Sequence, residues 1–164
     1  MKTLGGIAVL VLLSLAAVAD EKDQAKGKDT TYEVYSGYFE SNKSGLNGEA
    51  SYLTFTNQGA FDKVFGKAVV MGKRNHFLPK DLFDVHRVVA IIKRGPAITE
   101  YKVEKVTVDK DTVYVQYEAK AKDSGGTARY ASPLILSLDK GKYTSLVFIE
   151  NGKKVETLKL DQAR

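Results

Sequence analysis

The fold is decided by residues 85–117: Val85-His86-Arg87-Val88-Val89-Ala90-Ile91-Ile92, a Gly95-Pro96 turn, Tyr101-Lys102-Val103-Glu104-Lys105-Val106-Thr107-Val108, an Asp109-Lys110-Asp111 turn, then Val113-Tyr114-Val115-Gln116-Tyr117. β-Branched and aromatic residues between such breakers read as strands. Residues 88–92 are apolar without alternation, so both faces need cover and this strand is central. Three consecutive antiparallel strands are therefore predicted over 84–118. In the second, Tyr101 and Val103 share one parity while Val106 and Val108 share the other. A β-bulge near Glu104-Lys105 reconciles the two sets, because a one-residue slip moves side chains to the opposite face. In the third, Val113, Val115, Tyr117 and Ala119 point one way and Thr112, Tyr114, Gln116 and Glu118 the other.

Working outward, residues 31–40 (Tyr32, Val34, Tyr35, Tyr38, Phe39) and 52–56 read as two earlier strands, separated by a loop rich in Ser, Asn and Gly. Phe61, Val64, Phe65, Ala68 and Val69 then fall on one helical face. Asn57 is the expected N-cap and Gly72 the expected stop. A basic loop over 72–81 leads back to the central strands. Beyond them, residues 120–128 form a polar loop around Gly125-Gly126. Residues 130–138 are a strand in which Pro133 implies an edge position or a bulge, and 143–150 and 153–160 are the last two. Asn151-Gly152 between these tolerates the positive φ of a type I′ hairpin turn. It is expected to pair Glu150 with Lys153 and Phe148 with Val155. The expected fold is mainly β: an antiparallel β-sandwich or curled sheet of about eight strands with one amphipathic α-helix.

The amino end carries the marks of a signal peptide over residues 1–19: Lys2, an apolar run over 7–17, and Ala17-Val18-Ala19 before Asp20. The run is too short to span a bilayer, so no stable membrane anchor is expected. Residues 20–30 (DEKDQAKGKDT) lack periodicity and read as a disordered leader. Residues 31–164 then make a single β-rich domain. The chain has no Cys, hence no disulfides, which for an exported protein suits a bacterial periplasm or exterior. Asn42-Lys43-Ser44 matches a glycosylation sequon but reads as a polar turn. Of 25 basic and 20 acidic residues, the lysines mostly alternate with apolar residues. Nucleic-acid binders gather their charge into a patch, so no nucleic-acid partner is expected.

Few residues could carry chemistry. Asp123-Ser124-Gly125-Gly126 is like the nucleophile segment of chymotrypsin-like serine proteases, but Lys122 stands where those have Gly, and neither histidine has a matching context. A Ser-Gly-Gly turn is the better reading. His76 and His86 are the only histidines. Asp84 and His86 would share one face of a strand, giving a carboxylate–imidazole pair that a hydrolase could use. Zinc wants three or four ligands, and His76 has Lys73, Arg74 and Lys80 around it, so no metal and no cofactor are expected. Asp109 and Asp111 lack the further carboxylates of a calcium loop. The nine tyrosines read as sheet packing with polar tips, not as a stacking platform.

Residues Phe83-Asp84-Val85-His86-Arg87-Val88-Val89-Ala90-Ile91-Ile92, Gly95, Tyr101-Lys102-Val103-Glu104-Lys105-Val106, Thr112-Val113-Tyr114-Val115 and Ala131-Ser132-Pro133 carry a resemblance over roughly 81–148. It is to the C-terminal domain family of the protease-complex subunit that stabilises dentilisin (PrcB-like domains). Phe61 to Phe65 fits as the family's upstream helix, while Thr99-Glu100 stands where the family often has Gly-Gly. The resemblance implies a non-catalytic exported domain that associates with another protein, a secreted protease among them, and it carries over no catalytic residue. The expected function is accordingly an exported binding or accessory domain. The alternatives are a hydrolase using His86 and Asp84, and binding of anionic cell-surface glycans through Lys73, Arg74 and Lys80. Two loops with glycine or proline and cations, 93–96 and 120–129, are expected at one end of the sandwich. Arg94, Lys122, Arg129 and Tyr130 would there form a surface for an acidic protein partner, with Arg and Tyr as anchors.

Overall fold

The structure, a computed structural model, describes residues 23–25, 27–68, 74–122 and 128–160. The expected signal peptide, its cleavage site, Gly72, Lys73 and Asp123-Ser124-Gly125-Gly126 lie outside them. The chain is mainly β, with β1 (Lys28–Asp29), β2 (Tyr32–Tyr35), β3 (Tyr38–Glu40), β4 (Ala50–Phe55), α1 (Gln58–Val64), β5 (Phe65–Lys67), α2 (Leu82–Val85), β6 (His86–Gly95), β7 (Ile98–Asp109), β8 (Thr112–Lys122), β9 (Tyr130–Asp139), β10 (Ser145–Glu150) and β11 (Lys153–Lys159). Two sheets pack face to face, in the orders β1-β7-β8-β10-β11 and β2-β9-β6-β4, and β3 pairs with β5 in a small third sheet. No described helix is long and apolar enough to cross a membrane.

The apolar run of β6 is buried on both sides, as its composition requires. Val89 and Ile91 point between the large sheets, where they meet Val115, Tyr117, Leu136 and Phe148. Val88, Ala90 and Ile92 point the other way, onto Phe61, Phe65 and Phe83. β6 is central, flanked by β9 and β4. It does not pair with β7, however: the chain leaves one sheet at Gly95 and enters the other at Ile98, so the three consecutive strands are one strand plus a hairpin. That hairpin carries the expected bulge, with its register shifting between Val103 and Lys105. The alternation of β8 also holds, since Val113, Val115 and Tyr117 are buried in the core.

Several expectations are corrected. The helix starts as predicted, the Asn57 side chain accepting the Ala60 N–H at 2.8 Å, but it stops at Val64. Phe65 is extended and opens β5, which pairs with β3. Phe61 and Phe65 still share the core, 4.8 Å apart, because a bend keeps both rings facing β6. Pairing is not uniformly antiparallel: β8 and β10 run parallel, since β9 between them in sequence belongs to the other sheet. Pro133 is accommodated beyond the end of β2, whose pairing with β9 stops at Tyr35↔Ile135. Asn151 and Gly152 take φ 51° and 78°, as a type I′ turn demands, and Glu150 pairs with Lys153. Phe148 pairs with Glu156 instead of Val155, because a bulge between Phe148 and Ile149 leaves Val155 over.

The leader is ordered from Asp23 in its described part. Ala25 is buried against Val147 and Ile149 on the outer face of the larger sheet. Its N–H reaches Gln116 Oε1 at 3.2 Å, and Lys28 and Asp29 pair with Val108 and Thr107. At Asp23, the first described residue of this strap, the carboxylate accepts the Lys154 N–H at 2.8 Å.

Candidate functional site

The two large sheets are joined differently along their two sides. On one side Ser132 of β9 stitches them: its Oγ accepts the Thr99 N–H at 2.9 Å, and its carbonyl accepts the Tyr101 hydroxyl at 2.8 Å. On the other, between the edge strands β4 and β11, a cleft of about 570 Å³ stays open. Small residues make its walls. Gly95, Ala97, Ala119 and Ala121 lack the bulk to close it, and the bulged Val155 stands 42% exposed at its lip.

The floor is polar and internally paired. Lys93 from the end of β6 and Glu150 from the end of β10 form an ion pair, with Glu150 only 12% exposed. The buried Tyr117 hydroxyl donates to the second oxygen of Glu150 at 2.9 Å, and the Tyr52 hydroxyl joins the same network. Burial and the nearby Glu150 charge drive the Tyr117 phenol far above its ordinary range, so it keeps the proton it donates to Glu150. Burial likewise raises Tyr52 and Tyr101. The Tyr52 ring packs on Phe148, 4.9 Å between centroids, which holds the floor to the core. A charge taken from water is costly unless paired, and both charges of the floor have their partner, while Glu49 at the cleft's rim is exposed to water.

The sequence-predicted surface fares differently residue by residue. Gly95↔Tyr130 and Ile98↔Lys122 bring the described residues that flank the two loops to one end of the sandwich. Arg94, however, is not a free anchor. Its Nε and Nη2 donate to Oε2 and Oε1 of Glu40, each at 2.7 Å, and Nη1 reaches Ser51 Oγ at 3.0 Å. The pair is nearly buried, with 13% and 10% of the two side chains exposed. Burial by itself would raise the Glu40 carboxyl, but hydrogen bonds from Arg94 and Ser44 outweigh it and hold the group below its ordinary value. Lys122 is exposed and pairs with Glu100 at 3.2 Å. Arg129 is exposed and Tyr130 half-buried.

The histidines lie apart. Asp84 belongs to α2, not to a strand, so it does not share a strand face with His86. His86 Nε2 instead meets Asp139 at 3.1 Å, its cross-strand partner in the β6–β9 ladder. His76 Nε2 meets Glu33 at 3.0 Å and its ring stands edge-on to Tyr35. Among the described residues no group of three or more His, Cys, Asp or Glu could hold a metal ion. Sequence reasoning missed the cleft floor, because Lys93, Tyr117 and Glu150 come from three separated strands. Only the alanines on alternate positions of β8, Ala119 and Ala121, hinted at a wall with room beside it. Comparison of the chain with family models, with curated proteins and with solved structures returned no match.

Proposed function

We propose that the protein is an exported, non-catalytic binding domain that acts by associating with another exported protein, a secreted protease being the class the sequence resemblance implies. The cleft between β4 and β11 carries this reading. The ionisable groups of its floor are already engaged, Lys93 and Tyr117 with Glu150 and Arg94 with Glu40, and Glu49 stands exposed at the rim. A general acid or base must be available to a substrate in a titratable state, whereas this floor is locked and its walls are small and apolar. Such a recess suits a protruding part of another protein.

The test is affinity capture from the protein's native exported fraction, comparing wild type with Ala121→Trp, which fills the cleft from its exposed wall. Wild type should retain a specific partner, and the folded variant should lose it. Wild type that retains nothing beyond the empty matrix would overturn the proposal. Proteolytic activity in the captured material would place the partner in the implied class.

A further inference from the structure

We infer that the free edge of β4 is a strand-addition site, and that the cleft beside it takes one extended segment of the partner polypeptide with apolar side chains at alternate positions. This rests on the binding reading above and adds its mode and the chemistry of its occupant.

The backbone supplies the first argument. The Arg94 N–H donates to the Glu49 carbonyl at 2.7 Å, so Glu49 and Arg94 are a hydrogen-bonded pair of the ladder. Such pairs alternate in antiparallel strands. With the register Ala50↔Lys93 through Phe55↔Val88, residues Ser51, Leu53 and Phe55 direct their N–H and C=O toward β6. Those of Ala50, Tyr52 and Thr54 point out of the sheet. β4 ends its sheet, and no other described strand pairs with that side. Ala50 and Tyr52 also line the cleft. Donors and acceptors at every second residue are what an added strand pairs with.

The second argument is the contrast between the cleft's two banks. β11 has the features that keep an edge from pairing: Lys153, Lys154 and Lys159, the bulge at Val155, and the Asp23 carboxylate on the Lys154 N–H. β4 reads Ala-Ser-Tyr-Leu-Thr-Phe, with no charge, no proline and an unbroken register. One bank is guarded and the other bare.

The cleft's chemistry defines the occupant. Lys93 and Glu150 neutralise each other and Arg94 is held by Glu40, which leaves the exposed Glu49 at the rim as the lining's one carboxylate outside an ion pair. Ala97, Ala119, Ala121 and Val155 offer apolar wall to the inward side chains of a strand, which come at alternate positions. A second copy of this chain, paired β4 to β4, is the occupant the experiment must separate from a partner segment.

The experiment uses phage-displayed random peptides of about ten residues selected on the full protein. The best is then resynthesised and titrated against wild type, Ala50→Pro and Thr54→Pro. Proline at an outward-pointing edge position removes a donor without breaking the β6 ladder, so both variants should fold. Selection should enrich alternately apolar sequences, binding should weaken by about tenfold in each variant, and amide exchange at Ala50, Tyr52 and Thr54 should slow on binding. The inference is overturned if no sequence is enriched, if both folded variants bind as wild type does, or if those amides are unaffected. A dimer in sedimentation that Ala50→Pro dissolves would overturn it too, in favour of the second copy. Should the native partner be captured equally by both proline variants, the binding reading stands and this one falls. Should wild type capture nothing, the failure lies with the binding reading.

Discussion

Arg94 and Glu40 meet side-on through two hydrogen bonds of 2.7 Å, and they join the end of the central strand β6 to β3 of the small third sheet. Arg94→Ala should destabilise by about 3–5 kcal/mol, because it strands a nearly buried carboxylate. Arg94→Lys should recover only part, since an ammonium cannot make the fork. A denaturant melt of both checks the order.

The same pair sets a pH dependence. The folded-state Glu40 carboxyl is held below its ordinary value, by Arg94 and Ser44 against the opposing effect of burial. Its contribution is therefore complete above the unfolded glutamate value and is lost as pH falls through the lower folded value. Wild type should lose stability more steeply than Glu40→Gln across that acid window. Melts at graded pH test it, and parallel curves would refute the assignment.

Tyr117→Phe should destabilise by about 1–3 kcal/mol, since it removes a donor from the largely buried Glu150. Adding Glu150→Gln should make the second change smaller than it is alone, because the two side chains act in one network. A double-mutant cycle by chemical denaturation measures the coupling, and strict additivity would count against a shared network.

Gly152→Val should cost about 1–3 kcal/mol by forcing a β-branched residue to a φ of 78°. Asn151→Ala should also destabilise, for a separate reason: the Asn151 amide accepts the Ala119 N–H at 3.0 Å and donates to the Ala119 carbonyl at 3.1 Å. The hairpin tip is thus tied to β8 as well as closed on itself. Thermal melts of the two variants test both halves.

What could be read from the chain was local. The run Val88 to Ile92 announced a strand buried on both faces, the parity change between Val103 and Val106 announced a bulge, and Asn57 and Asn151-Gly152 announced a cap and a turn. Each depends on residues a few positions apart. What could not be read depends on partners far away. Phe65 looked helical because its ring belongs on the Phe61 face, yet β3 claims its backbone. Gly95-Pro96 looked like a hairpin turn, yet it carries the chain from one sheet to the other, and either use suits Gly and Pro. Arg94 looked exposed because its partner, Glu40, is 54 residues earlier. The cleft was invisible for the same reason, being the gap left between two edges that no sequence neighbour joins.

The strap from Asp23 to Thr30 has a consequence for the order in which the molecule completes itself. Its contacts fall on Val106 and Val108 of β7, on Gln116 of β8, 91 residues from Ala25, and on Lys154 of β11, 131 residues from Asp23. Loops of that length close only after the strands at their far end exist. A chain delivered amino end first, from the ribosome or across a membrane, thus holds its earliest described residues unseated until its last hairpin has emerged. Gly27 marks how closely the strap seats: its φ of 94° and the Val108 carbonyl beside it leave no room for a side chain once β7 is in place. The earliest described residues are thus among the last to be seated.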